Sequence, residues 1–312
     1  MSRAASAGLG VNRAFAHIVK YRFLYLMVSP VVVYFTIFHY GPIYGLIIAF
    51  KDYAPARGFA RSPWVGLAHY HEFFVMNSMY VGRIIRNTIL LNVYGLLLGF
   101  PAPIILALLL NEIRVPALKR TVQTITYVPY FISLVVVVGM LIDFFARDGL
   151  VNQGLKALGR EPIAFVTDPR WFRPLYIGSA IWQTMGWNSI IYLAAISGID
   201  PNLYEAAEID GAGRFRKIAS ITIPSIFPTI VILFLLQIGH MMDVGIDKVL
   251  LMYNPMNYET ADVIQTFVYR TGLLEMNFSY GTAVGLFNSV VNFSLLLVAN
   301  RLSRQLTQTS LW

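Results

Sequence analysis

The stretch YEAAEIDGAGRFRKIASITIPSI, residues 204–226, sets an acidic alanine-faced segment, two glycines and a basic cluster between two long apolar runs. Its residue types suit docking rather than bond-making chemistry. Asp200 and Pro201 predict a helix start, Asp as N-cap and Pro at the first helical position. Leu203, Ala206, Ala207 and Asp210 then fall on one face at three- and four-residue spacing, with Glu205 and Glu208 beside them in the early turns. Gly211 and Gly213 predict the stop, because glycine accepts a left-handed C-terminal cap. Arg214 to Ile223 is expected to form a second helix, closed by Pro224. An alanine face lets another surface approach closely, as a docking knob would require. The same pattern also suits an amphipathic helix lying at a membrane interface.

Other candidates for chemistry are sparse. The chain has no cysteine, which excludes disulfides, thiolate catalysis and Cys-based metal sites. The glycine cluster GAGRFRK at 211–217 has the wrong spacing for a phosphate loop and follows no strand, so ATP is not expected on this chain. His69 and His71 are close in sequence but lack nearby carboxylates, and no metal is expected there. The five histidines and few acids are dispersed around no nucleophile motif, so no catalytic set is expected. Polar residues inside apolar runs are costly and usually face a bundle interior. Gln183, Trp187 and Asn188 precede the 204–226 stretch in this way, and Gln237, His240 and Asp243 follow it. They suit either a solute pathway or ordinary interhelical hydrogen bonds, worth about 1 kcal/mol each. Asn288 and Asn292, four residues apart, read as contacts between helices.

The elements that must position these residues are set by composition. Of 312 residues 57% are hydrophobic and 13% charged, with a mean hydropathy of +0.61, so the chain is expected to be a polytopic membrane protein. Six segments are long enough to cross a bilayer: 24–50, 84–110, 121–145, 175–198, 225–245 and 280–300. All six are expected to be helical, because a bilayer offers backbone groups no outside partner and no barrel-type alternation occurs. Pro30, Pro42, Pro101, Pro103 and Pro129 mark kinks. Gly41/Gly45, Gly95/Gly99 and Gly281/Gly285 have the spacing of close helix contacts. The net charge of +8 is scattered over loop ends, which suits lipid headgroups and argues against nucleic acid. Arg3, Arg13, Lys20 and Arg22 precede the first span, which is too long for a signal-peptide core and is expected to be retained. Both termini are expected on the cytoplasmic side. The chain reads as one transmembrane domain, 1–312, with a loop at 200–224 between spans four and five.

Taken together, Glu205-Ala206-Ala207, Asp210-Gly211-Ala212 and Ile223-Pro224 resemble the EAA loop of the integral-membrane subunits of binding-protein-dependent ABC importers. HYGPIYGLIIAFKDY at 39–53, EMNFSYGTAVGLFNSVVNF at 275–293 and the terminal Ser310-Leu311-Trp312 are similar to the polysaccharide and oligosaccharide branch of carbohydrate importers, which includes the alginate importer's permease. The resemblance implies the all-α type I ABC importer permease fold, in its minimal six-span form without an extra regulatory role. It also implies a bacterial cytoplasmic (inner) membrane location and a cytoplasmic coupling helix seated in an ATPase cleft. Glu205 would then make the charged contact, Ala206 and Ala207 would allow close seating, Asp210 and Gly211 would set the turn, and Arg214 would add a polar contact.

By the same resemblance ATP and Mg²⁺ bind a partner ATPase dimer, and a second permease chain completes a heterodimer. An extracytoplasmic solute-binding protein delivers the oligosaccharide, which passes by alternating access. Gln183, Trp187, Asn188, Gln237, His240 and Asp243 would line its path, Trp187 by stacking on a sugar ring. Two other functions compete. A self-sufficient secondary transporter should show inverted repeats or intramembrane carboxylates, and an enzyme should show convergent catalytic groups.

Overall fold

The computed structural model describes residues 19–307; Arg3, Arg13 and Ser310–Trp312 lie outside the described residues. The chain divides into two compact units, one ending at Leu67 and one beginning at Ala68. Among the described residues every extended element is helical, and the sole β-pairing is an isolated antiparallel bridge between Lys51 and Trp64.

The first unit is built on α1, Arg22–Phe50, 29 residues long. Pro30 and Pro42 interrupt its ladder. Ser29 Oγ donates to the Leu26 carbonyl (3.0 Å) and Thr36 Oγ1 to Val32 (2.8 Å), as hydroxyls do inside apolar helices. Pro42 has no N–H to continue the α pattern, and the helix widens to a π turn over Thr36–Tyr40 before tightening to 3-10 over Gly41–Phe50. A turn follows in which Lys51 Nζ donates to the Phe59 carbonyl (2.7 Å) and lies over the Trp64 ring.

The second unit holds α2 (Ser78–Glu112), α3 (Pro116–Phe131), α4 (Leu134–Phe145), α5 (Pro169–Ser197), α6 (Pro201–Ile209), α7 (Arg214–Ile238), α8 (Ile246–Met252) and α9 (Phe278–Thr307). α5 is the central post. It packs along the Pro101–Glu112 half of α2, and against α3, α7 and α8. Buried Leu91, Val138, Phe172, Leu175, Val249 and Val263 form one core at one end of α5, and Ala107, Tyr192, Ile196 and Ile226 form another at its opposite end. A third core joins the start of α2 to α9 through Phe73, Ile84, Ile264, Phe267, Tyr280 and Val284.

α1, α2, α7 and α9 are long and apolar enough to cross a membrane, and a fifth such element results if α3 and the helical stretch Leu134–Ala157 count as one. α5, at 29 residues, has the length but a more polar surface, carrying Arg170, Arg173, Gln183, Thr184 and Asn188.

Local geometry departs from the sequence expectation in three places. The 121–145 segment is not one rod: α3 and Leu134–Ala157 meet at 101°. Pro129 ends the first part in a 3-10 turn, and Ser133 restarts the chain as N-cap, its Oγ accepting from the Val136 N–H. The 225–245 segment is helical only to Ile238, after which Gly239–Gly245 turns. Pro224 does not close a helix either, because α7 passes through it by way of a π turn at Ile218–Thr222 that removes the need for its missing N–H. Of the three spaced glycine pairs, Gly281 alone meets another backbone: a Cβ there would lie 2.6 Å from Gly272 Cα.

Candidate functional site

The 200–224 loop folds by local rules. Asp200 Oδ1 accepts from the Asn202 N–H (3.0 Å) and Pro201 opens α6. Gly211, at φ +75°, ends it in a left-handed turn in which Ala212 N–H reaches the Ala207 carbonyl (2.8 Å). Two contacts brace the loop to α7: Tyr204 Oη with buried Thr222 Oγ1 at 2.9 Å, and Lys217 Nζ with Glu208 Oε2 at 3.1 Å. What remains faces outward. Glu205, Ala206, Asp210, Gly211 and Arg214 are exposed, and Ala207 is half-buried. Ile209 and Phe215 project between them at 88% and 89% exposure. Sequence reasoning passed over these two; one such side chain is ordinary, but two large apolar groups exposed on one short loop make a patch of the kind that marks docking.

A cavity of 440 Å³ lies between α2, α5 and α7. Asn188, Gln237, His240 and Asp243 all line it, joined by Asn92 and Thr184, which the sequence had not singled out. Asn92, like Asn87 before it, is an amide inside the apolar run 84–110 and was legible for that reason. Gly95 and Gly99 on α2 form part of the wall, where the lack of side chains leaves room. His240 and Asp243 sit on the turn after α7, with Nδ1 and Oδ2 3.4 Å apart. That turn is held from α9 and the segment before it. Asn292 Oδ1 accepts from the Met242 N–H (2.7 Å), Asn288 Nδ2 donates to Asp243 Oδ1 (3.2 Å), and Gln265 Nε2 donates to the Met242 carbonyl (2.7 Å). The cavity therefore offers amide, hydroxyl, imidazole and carboxylate groups, with no Lys or Arg among its lining residues.

Gln183 and Trp187 are elsewhere. Gln183 Nε2 donates to the Ile132 carbonyl (3.1 Å), satisfying a backbone group freed by the α3–α4 break. Trp187 stacks on Tyr130 at 4.6 Å and 5°, with Phe131 edge-on at 5.5 Å. Between them Gly186 lets α5 touch α3 backbone to backbone, since a Cβ there would lie 1.9 Å from the Thr126 carbonyl oxygen. Both side chains thus support the bend and leave the cavity to Asn188.

At the end of the cavity marked by Tyr176 lies a polar network. Asp262, 1% exposed, receives Thr266 Oγ1 (2.7 Å), Arg270 Nη2 (3.0 Å) and the Tyr80 hydroxyl, which also meets Arg270. Burial lowers the Arg270 pKa, but the Asp262 hydrogen bond and charge outweigh it and hold the guanidinium above its ordinary value. Lys248 on α8 is 6% exposed, its Nζ donating to the Tyr176 carbonyl (2.9 Å). Burial pushes its pKa down to about 8.

Long apolar helices around a cavity that carries amide, hydroxyl, imidazole and carboxylate groups suit a membrane permease. The chain belongs to the family of binding-protein-dependent transport system inner membrane components, which matches residues 99–308. Protein LplB of Bacillus subtilis is 43% identical over 98% of this chain and 96% of its own length. The polygalacturonan/rhamnogalacturonan transport system permease protein YteP of the same organism is 42% identical over 96% and 94%. Among solved structures, a chain of a bacterial alginate ABC transporter in complex with an alginate pentasaccharide-bound periplasmic protein superposes with a TM-score of 0.89. It is 43% identical, over 96% of this chain and all of that one. The fold is that of a type I ABC importer permease, and the chain is a multi-pass, non-catalytic permease subunit.

Proposed function

We propose that this chain is the permease subunit of an ATP-driven importer that passes an oligosaccharide or polysaccharide from an extracytoplasmic binding protein to the cytoplasm by alternating access. The observation that carries this is the placement of α7. Its 25 residues, about 37 Å of helix, begin in the exposed loop and end at Gln237 beside the cavity. A push on the loop reaches the cavity wall along one continuous helix. The relatives transport polygalacturonan or rhamnogalacturonan and alginate, which favours a saccharide here. The cavity's amides and hydroxyl suit sugar hydroxyls, and its lack of a deep charge trap suits passage rather than retention.

In this reading the chain crosses the inner membrane six times, with α3 and α4 together forming one crossing and α5 another, and both termini cytoplasmic. The loop is the coupling helix. Glu205 contacts the ATPase, Ala206 and Ala207 allow seating, Asp210 and Gly211 shape the turn, and Arg214 adds a polar contact. Two ATPase subunits hold ATP and Mg²⁺. The single loop per chain calls for a second permease, and the neighbouring structure's periplasmic partner supports a binding protein of the same kind.

The test is to extract the tagged chain in mild detergent, identify what co-purifies, and reconstitute the complex in vesicles. An ATPase and a second permease should be recovered, and Glu205→Ala should uncouple ATP hydrolysis from uptake while still inserting. Uptake by the chain alone without ATP, or normal transport by Glu205→Ala, would overturn the reading.

A further inference from the structure

One turn beyond the cavity, four arginines gather: Arg83 and Arg86 on α2, Arg173 on α5, and Arg270 between α8 and α9. Asn87 ties them together. Its Oδ1 accepts from Arg173 Nη2 (2.9 Å), and its Nδ2 donates to the carbonyls of Glu259 (2.9 Å) and Asp262 (3.0 Å). Arg83 lies over the Tyr80 ring, whose hydroxyl meets Asp262 and Arg270. Arg86 stands close enough to Arg173 for the two to repel. Asn87 and Arg173 each lie three or four residues from Leu91, Tyr176 and Ile177, which line the cavity, so cluster and cavity share helix faces.

The charges do not balance. Four guanidinium groups have two carboxylates near them, and Asp262 is the single one in an ion pair, with both its oxygens already accepting hydrogen bonds. Glu259 is exposed. Arg83 Nε, Arg173 Nε and Arg270 Nη1 are buried without a hydrogen-bond partner. A buried donor without a partner is costly, so three in one place need a reason beyond packing. Beside them Tyr253 and Tyr258 are stacked at 4.9 Å, and Arg270 lies 5.9 Å from the Tyr258 ring centroid. Guanidinium groups bind carboxylates through paired N–H donors, and half-buried tyrosines present the apolar body and polar tip that a sugar ring requires. A uronic acid carries both complements on one residue.

We propose that this arginine–tyrosine cluster is an entry site for the uronate residues of an acidic oligosaccharide, resting on the permease reading above. Arg83, Arg86 and Arg173 bind the carboxylates at the mouth, and Tyr253 and Tyr258 carry the sugar faces. The deeper cavity has Asp243 and no Lys or Arg, so a uronate is drawn in by the mouth and held loosely beyond it.

The test uses the co-purified complex in nanodiscs and a trigalacturonate labelled at its reducing end, with binding read by fluorescence anisotropy. The fully methyl-esterified trisaccharide, which keeps the hydroxyls and loses the charges, is the comparison. The acid should bind about tenfold or more tightly than the ester, with Arg83→Gln and Arg86→Gln each removing about tenfold. The lysine variants at both positions, which keep the charge and lose the paired donors, should retain only part of the affinity, more than the glutamine variants. Equal binding of acid and ester, or binding indifferent to the arginine variants, would overturn the proposal. So would displacement of the probe when phosphatidylglycerol replaces a neutral lipid, which would make the cluster a lipid-phosphate site. Recovery of an ATPase is scored on the same preparation, so failure of the importer reading registers separately from failure of anion binding.

Discussion

Gly186→Ala is a one-carbon change whose sign depends on the contact between α5 and α3. In an isolated helix the substitution stabilises by about 1 kcal/mol. Here the new Cβ would fall 1.9 Å from the Thr126 carbonyl oxygen, 2.4 Å from its carbon and 3.1 Å from the Tyr127 nitrogen. All three are backbone atoms, so no side chain can swing aside. The helices must separate by more than an ångström, which loosens the Gln183 bond to Ile132 and the Trp187–Tyr130 stack on either side. Overpacking of this kind costs about 1–3 kcal/mol or more, and the lost hydrogen bond adds about 1 kcal/mol. The net is a destabilisation of about 1–3 kcal/mol once the propensity gain is subtracted. Gly178→Ala, on the same helix with nothing within 4 Å of its Cβ, is the control and should be neutral or stabilising. Thermal unfolding of the two purified variants in one detergent, followed by tryptophan fluorescence, compares them directly. Equal melting points for Gly186→Ala and Gly178→Ala would refute the contact and with it the account of the bent α3–α4 element.

Two further outcomes concern the ends of the pathway. Phe215→Ser, which removes an almost fully exposed apolar knob, should leave melting unchanged and reduce the ATPase recovered with the chain by about tenfold, as for a hot-spot side chain; undiminished recovery would place the seat elsewhere. Lys248 should make stability depend on pH. Its folded pKa of about 8 lies below the ordinary lysine value of 10.5, so between those values the unfolded chain holds a proton that the folded chain has released. Stability therefore rises with pH across that window, by up to about 3 kcal/mol. Melting points at pH 7.5 and 9.5 should show the rise in the native chain and not in Lys248→Met, and parallel behaviour would refute it.

The loop was legible because its geometry is local: an Asp-Pro start and a Gly211 stop need no distant partner. Cavity residues were half legible. Hydropathy shows that a polar group is inside a helix, but not which neighbour it faces. Trp187 and Asn188 are adjacent in sequence and about 100° apart around α5, so one stacks against the bend and the other opens into the cavity. The bend itself was hidden because Pro129 signals a kink without an angle, and the bent element packs against Gly186 of another helix. The arginine cluster had no sequence signature, since positions 83, 86, 173 and 270 meet through the fold alone.

The arrangement of rigid and loose parts follows the demands of a conduit. The residues nearest the end of α7, His240 and Asp243, sit on a turn whose backbone is pinned by Asn292 and Gln265. At its other end the helix is pinned to its loop by Tyr204 and Lys217. Motion applied at the loop therefore has little slack to consume before it reaches the cavity. Between those ends α7 carries the π turn at Ile218–Thr222 and Pro224, the place where its ladder is weakest. Because Thr222 of that turn is bonded to Tyr204, the loop braces the helix across its weakest point. The brace favours transmission of a push over local bending, so loss of the Tyr204 hydroxyl would harm coupling more than stability.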